Sequence, residues 1–129
     1  MAYPLKPPEF PEGQEVLLRK LNLVRELDAA LRPTVACLLH FGREPQRFLP
    51  EAYVMAARIP GLDPAVAPSD VKRIEGRLTE ILEDSARFLR IHLPVRHRIE
   101  GFGPEAFPEL PEVALRETVI NALSHRDYT

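Results

Sequence analysis

Fourteen prolines among 129 residues constrain this chain more than any other feature. That is about twice the usual share. A proline fixes its own φ and has no N–H to donate, so it stops helices and cannot sit inside a central strand. These prolines are scattered, so they read as punctuation between short elements and not as a low-complexity tract. Residues 1–11 hold four of them and are expected to form an irregular arm.

Between the prolines, hydrophobic spacing gives a coarse order of elements. Pro11, Glu12 and Gly13 open the series Val16, Leu17, Leu21, Val24, Leu27, which approximates one face of a helix. Pro33 interrupts it. Thr34–Phe41 (TVACLLHF), closed by Gly42, fits a buried strand or a short buried helix. The segment REPQRFLPEA carries turn chemistry, and AYVMAARIP reads as a strand closed by Pro60 and Gly61. Residues 60–68 form a loop, after which Ser69 or Asp70 is placed to cap the next element.

Val71, Ile74, Leu78, Ile81, Leu82, Ala86 and Leu89 form an amphipathic helical pattern. Gly76 inside it costs about 1 kcal/mol against alanine, so residues 71–75 fit either the helix or a short strand before it. Pro94 ends the pattern. VRHRIEG alternates as a strand, and FGPEAFPELP reads as irregular or edge-like. Pro111 and Glu112 suit the first turn of a last helix. The sum is an α+β chain: a single small domain, about four helices with a small, mainly antiparallel sheet.

Composition narrows the function classes. No run of eighteen apolar residues exists, so no transmembrane helix is expected, and the first ten residues have no signal-peptide character. One cysteine, Cys37, allows neither an internal disulfide nor a cysteine-cluster zinc site, which fits a cytoplasmic protein. Cys37 lies in an apolar run and is expected to be buried and inert. A net charge of −2 argues against bulk-charge binding to nucleic acid. Residues 69–99 nevertheless carry seven basic against five acidic side chains. Arg77, Arg87, Arg90, Arg96 and Arg98 there could form a phosphate-facing strip, or a solvated face laced with opposite charges. His92 and His97 do not have a standard zinc spacing.

The last helix holds most of the chemistry. At about 100° per residue, Leu115, Val119, Ala122 and Leu123 gather on one side. Glu117, Asn121 and His125, four apart, gather roughly 140° away. A carboxylate can take a proton from water, and an amide oxygen suits magnesium. The same row also fits an ordinary solvated polar face.

LPEVALRETVINALSHRDYT resembles a motif of the form ALREAxxNAxxHRDY in RecG-related bacterial helicases or transcriptional regulators. These pair a Schlafen AlbA-type domain with a GHKL-like ATP-binding part that the motif opens. ACLLHFGREPQRFLPEAYV is similar to the family's AGLLLFGxxPQxFxPxAxI, and IEGRLTEILEDSARFL to its GxLxEQIxxAxxFI helix. The resemblance covers roughly residues 12–129. His40 departs from it, as does Arg32-Pro33 before Thr34.

The resemblance implies that the motif is an N-box. Glu117 would be the general base and Asn121 the magnesium ligand. His125 and Asp127 would flank the nucleotide, with Arg126 completing the His-Arg-Asp match. It implies ATP and magnesium as cofactors of a full-length parent, with none expected for this chain alone. Residues 1–11 would be the arm, 12–110 a connecting α+β region, and 111–129 the helix opening the ATP-binding domain. The chain shows no GxxxxGK[ST] phosphate loop and none of the glycine-rich boxes a GHKL site needs. It is therefore expected to be a fragment without catalysis or helicase motor activity of its own. Its partners would be the rest of the parent chain, and DNA or a second copy. The alternatives are a nucleic-acid-binding module or a dimerisation module.

Overall fold

The computed structural model describes residues 13–63, 65–100, 103–108 and 110–128, and for 96–100 and 103–108 the backbone alone. The expected arm at 1–11 lies outside the described residues. Helices α1 (Gln14–Lys20), α2 (Val35–Phe41), α3 (Leu78–His92) and α4 (Glu112–Ser124) alternate with strands. The strands are β1 (Val24–Leu27), β2 (Ala30–Pro33), β3 (Val54–Arg58), β4 (Asp70–Ile74), β5 (Val95–Glu100) and β6 (Gly103–Pro108). The α+β expectation holds. Among the described residues all strand pairing is antiparallel, divided among three two-stranded ribbons, β1–β2, β3–β4 and β5–β6, in place of the one small sheet expected.

The helical series expected from Val16 to Leu27 breaks in the middle. α1 ends at Lys20, and Asn22 takes a left-handed φ of 55°. Asp28 and Ala29, at φ 53° and 59°, then form the two-residue turn joining β1 to β2. Two consecutive positive φ values match the right-handed twist of a hairpin. Apolar spacing of three or four residues could not reveal this, because a short helix followed by a strand reproduces it by chance.

Thr34 decides the ambiguous run after the hairpin. Its hydroxyl accepts from the Cys37 N–H at 3.3 Å and donates to the Asn22 carbonyl at 2.9 Å. It therefore caps α2 and ties it to the end of α1, so TVACLLHF is a helix.

Gly76 settles the second ambiguity. Its φ is +120°, so the chain turns sharply between β4 and α3, and residues 70–74 are strand. The cap expected at Ser69 or Asp70 is not one. Arg77 precedes α3, and its N–H donates to the Glu80 carboxylate at 2.8 Å. The expected turn in REPQRFLPEA is a 3-10 turn at Pro45–Arg47. Its Gln46 holds the Gly76 joint from the other side. The Gln46 amide donates to Ala52 O at 2.7 Å and Gly76 O at 2.8 Å, and its oxygen accepts from the Gly76 N–H at 3.2 Å.

The core sits where the β3–β4 ribbon meets α3 and α4. Ile74, Ile81, Phe88 and Leu123 are its buried members, flanked by Val54, Ala56, Leu78, Leu82 and Val119. Two surface pairs join the helices: Arg90 with Glu112 at 2.8 Å, and Arg116 with Glu83 at 2.9 Å. No helix among the described residues is long and apolar enough to cross a membrane.

Gln46→Leu removes three bonds at once and strands the Gly76 amide and carbonyl. The expected loss is about 2–3 kcal/mol of stability, read by urea denaturation. The hydrogen bond from Arg116 holds the Glu83 carboxyl below the usual carboxylate range. Its contribution is therefore full above that range and is lost as pH falls through the lowered folded value. Arg116→Gln should lower stability at neutral pH and converge with the parent in acid, so the acid limb of its stability-against-pH profile is shallower.

Candidate functional site

α4 is anchored by one face. Leu123 is buried in the core and Val119 packs against it. Leu115 is half-buried, whereas Ala122, expected on the packing side, is exposed. β3 and α3 cover the sector of Val119 and Leu123 and stop short of Ala122.

The opposite face carries the expected row. Glu117, Asn121 and His125 are all exposed. Among the described residues their side chains form no hydrogen bond or ion pair with one another. His125 is the residue that ends the helix, its N–H donating to Asn121 O at 3.0 Å. The row is thus a set of polar ends, unengaged among the described residues, on a helix anchored in the core. The hard amide oxygen of Asn121 and the Glu117 carboxylate suit a hydrated magnesium ion chemically. These three residues line none of four cavities found between the elements among the described residues. No cluster of three or more His, Cys, Asp or Glu side chains suited to a metal occurs among the described residues. The row alone is therefore an open face, and enclosure would have to come from other atoms.

Arg126 does something different. Its guanidinium donates to the carbonyl oxygens of Tyr53 and Glu51, 73 and 75 residues away in sequence. Its carbon stands 5.8 Å from the Tyr53 ring centroid and 5.7 Å from that of Tyr128. Arg73 covers Tyr53 at 3.7 Å. The Tyr128 hydroxyl donates to Leu123 O at 2.8 Å, satisfying a carbonyl in the last turn of α4. The His-Arg-Asp-Tyr stretch thus contains a lock. Arg126 fixes the end of α4 to the chain entering β3 and Tyr128 closes the last turn of α4, while His125 and Asp127 remain exposed. A motif read along the sequence shows Arg126 beside Asp127 but gives no sign of a partner across the fold.

The arginines singled out for phosphate lie apart in role. Arg77 precedes α3, Arg87 pairs with Asp84 at 3.2 Å, and Arg90 pairs with Glu112. The side chains of Arg96, His97 and Arg98 lie outside the described residues. The cavity beside Arg87 is walled by Glu75, Glu80, Glu83 and Asp84, so its charge is mainly negative and unsuited to phosphate. His92 bonds Asp70 at 2.8 Å and packs on Phe88 with ring centroids 4.4 Å apart, which joins α3 to β4. Cys37 is half-buried, not fully buried, and burial pushes its thiol up, away from the reactive thiolate.

Compared with family models, with curated proteins and with solved structures, the chain gives no match.

The lock and the row separate under mutation. Arg126→Ala should cost about 2–4 kcal/mol, because two carbonyls lose a charged donor. Glu117→Gln and Asn121→Ala, on the exposed face, should each stay within about 0.5 kcal/mol of the parent. Thermal and urea unfolding of the three variants check this.

Proposed function

We propose that this chain is the connecting α+β segment of a RecG-related regulator of the Schlafen AlbA and GHKL type, with α4 as the helix that faces a magnesium nucleotide. The observation that carries this reading is the division of α4. Val119 and Leu123 hold it on the core, and the Arg126 lock fixes its end. Glu117 and Asn121 are left exposed, without side-chain partners among the described residues. A row that only stabilised the fold would be expected to engage neighbours, as Arg116 and Glu83 do.

In this reading Asn121 offers its amide oxygen to the metal of the nucleotide, and Glu117 accepts a proton from water. His125 and Asp127 border the same ligand. Magnesium bound with ATP neutralises phosphate charge. The chain's own part is to hold the two polar ends one helical turn apart on a helix anchored by Val119, Leu123 and Arg126. It has no catalysis alone, because one open helix face does not exclude water from a reacting phosphate. DNA contact through Arg77, Arg87, Arg90, Arg96 and Arg98 is the weaker alternative. Two of these arginines already face carboxylates.

Calorimetry with magnesium-ATP tests the reading on this chain and on a longer version carrying the glycine-rich boxes of such ATPases. The expected outcome is binding by the longer version only, lost in Asn121→Ala with stability intact. Absence of binding by both returns Glu117, Asn121 and His125 to an ordinary polar face.

A further inference from the structure

The β1–β2 hairpin sets two arginines against each other. Its register pairs Arg25 with Arg32 directly across the strands. Side chains so placed have Cβ atoms about 5 Å apart, and like charges there are unfavourable. Arg25 is exposed and Arg32 is half-buried. Among the described residues neither forms a hydrogen bond or an ion pair. The neighbouring charges do find partners. Arg19 of α1 bonds Glu15 at 2.8 Å and Glu26 at 3.4 Å.

Successive strand residues point to opposite faces. Val24 is buried and Glu26 reaches α1, so theirs is the packed face of the hairpin. Arg25 and Arg32 share the other face with Leu27, which is exposed, and Ala30. Glu26 is the one acidic residue of the two strands, and it is committed to the packed face. The base of the hairpin is fixed. The Thr34 hydroxyl donates to the carbonyls of Asn22 at 2.9 Å and Leu23 at 3.2 Å, and the Thr34 N–H donates to Leu23 O at 2.9 Å. Two guanidinium groups thus rise from a held ribbon with no counter-charge between them. Arg32 also stands where the chain departs from the family motif, so the resemblance assigns it no task.

From these observations we infer that Arg25 and Arg32 form a clamp for a phosphate monoester group. Each guanidinium is a planar fork of N–H donors that suits phosphate oxygens. A carboxylate has two oxygens and is filled by one fork. A phosphate monoester has three terminal oxygens and serves two forks at once. Its charge near neutral pH is about −1.5 to −2, which balances two guanidinium groups, whereas a phosphodiester carries a single negative charge. The bound anion turns a cross-strand repulsion into a bridge, so the ligand also stabilises the hairpin. Glu117 and Asn121 take no part, and the clamp does not depend on the nucleotide reading of α4.

The test is proton–nitrogen NMR of the arginine Nε–H groups in the whole chain, titrated with inorganic phosphate just above neutral pH at constant ionic strength. The Arg25 and Arg32 signals should move together on one saturating curve, with a Kd on the order of 1 mM. Dimethyl phosphate, a singly charged diester, should bind at least about tenfold more weakly. Arg25→Glu should abolish the curve, because a carboxylate then faces Arg32, and circular dichroism should stay unchanged because Arg25 is exposed. Lys72→Glu makes the same change of charge on the β3–β4 ribbon and should leave phosphate binding within about twofold of the parent. Glycerol phosphate and a phosphoserine peptide separate the sources, since the tighter binder shows whether the group arrives on a small molecule or on a protein side chain. Four results each overturn the proposal: no saturable shift of the two arginines, equal binding of the diester, phosphate binding retained by Arg25→Glu, or binding lost in Lys72→Glu.

Discussion

Ile74 and Ile81 are each 1% exposed, and their contact is the constraint on which the rest of the architecture depends. They stand on opposite sides of Gly76. One ends a strand and the other lies in the first turns of a helix. They can meet because Gly76 takes a φ of +120° that an L side chain rarely adopts. A Cβ there would also fall 2.7 Å from the Glu80 carboxylate, which is needed to receive the Arg77 N–H. Gln46 braces the same joint from a distant turn. One glycine, one carboxylate and one amide thus set the angle between the β3–β4 ribbon and α3. Phe88 and Leu123 complete the core only at that angle.

The core is small, and this shapes everything at the surface. Four buried side chains tie together β4, α3 and α4, with β3 packed against them. The α1 and β1–β2 region depends more on polar ties, with Thr34 bonding to the end of α1 and capping α2. Large apolar side chains remain exposed on α1, β3 and α4, among them Leu17, Met55 and Val113. Single exposed apolar residues are ordinary in soluble proteins. The groove beside β3 differs because it brings Met55 and Ala122 beside a buried Ser85 hydroxyl with no partner among the described residues.

α4 shows how one helix serves two ends. Its packing residues, Val119 and Leu123, place it, and Arg126 with Tyr128 prevents its last turn from fraying. The polar row gains a fixed orientation without spending its own side chains on the fold. Within the terminal motif the roles therefore divide. Arg126 and Tyr128 act on structure, while Glu117, Asn121, His125 and Asp127 face outward.

Much of this was legible along the chain. The prolines and the hydrophobic spacing mark the last two helices, the strands around Val54 and Val95, and the polar row on α4, because these features are local and periodic. The two ambiguous runs were not legible. Helix α2 exists because Thr34 caps it, and β4 exists because Gly76 ends it; apolar spacing over so few residues reports neither. The hairpin at Asp28–Ala29 escaped because two positive-φ residues without glycine give a weak sequence signal. What only the tertiary structure decided is whatever depends on partners far apart in sequence. Arg126 reaches Tyr53 and Glu51, Gln46 reaches Gly76, and Ala122 is left on an open groove. Sequence determines which residues can bond or pack. The folded chain determines which of them meet, because a hydrogen bond or a van der Waals contact acts only over a few ångströms.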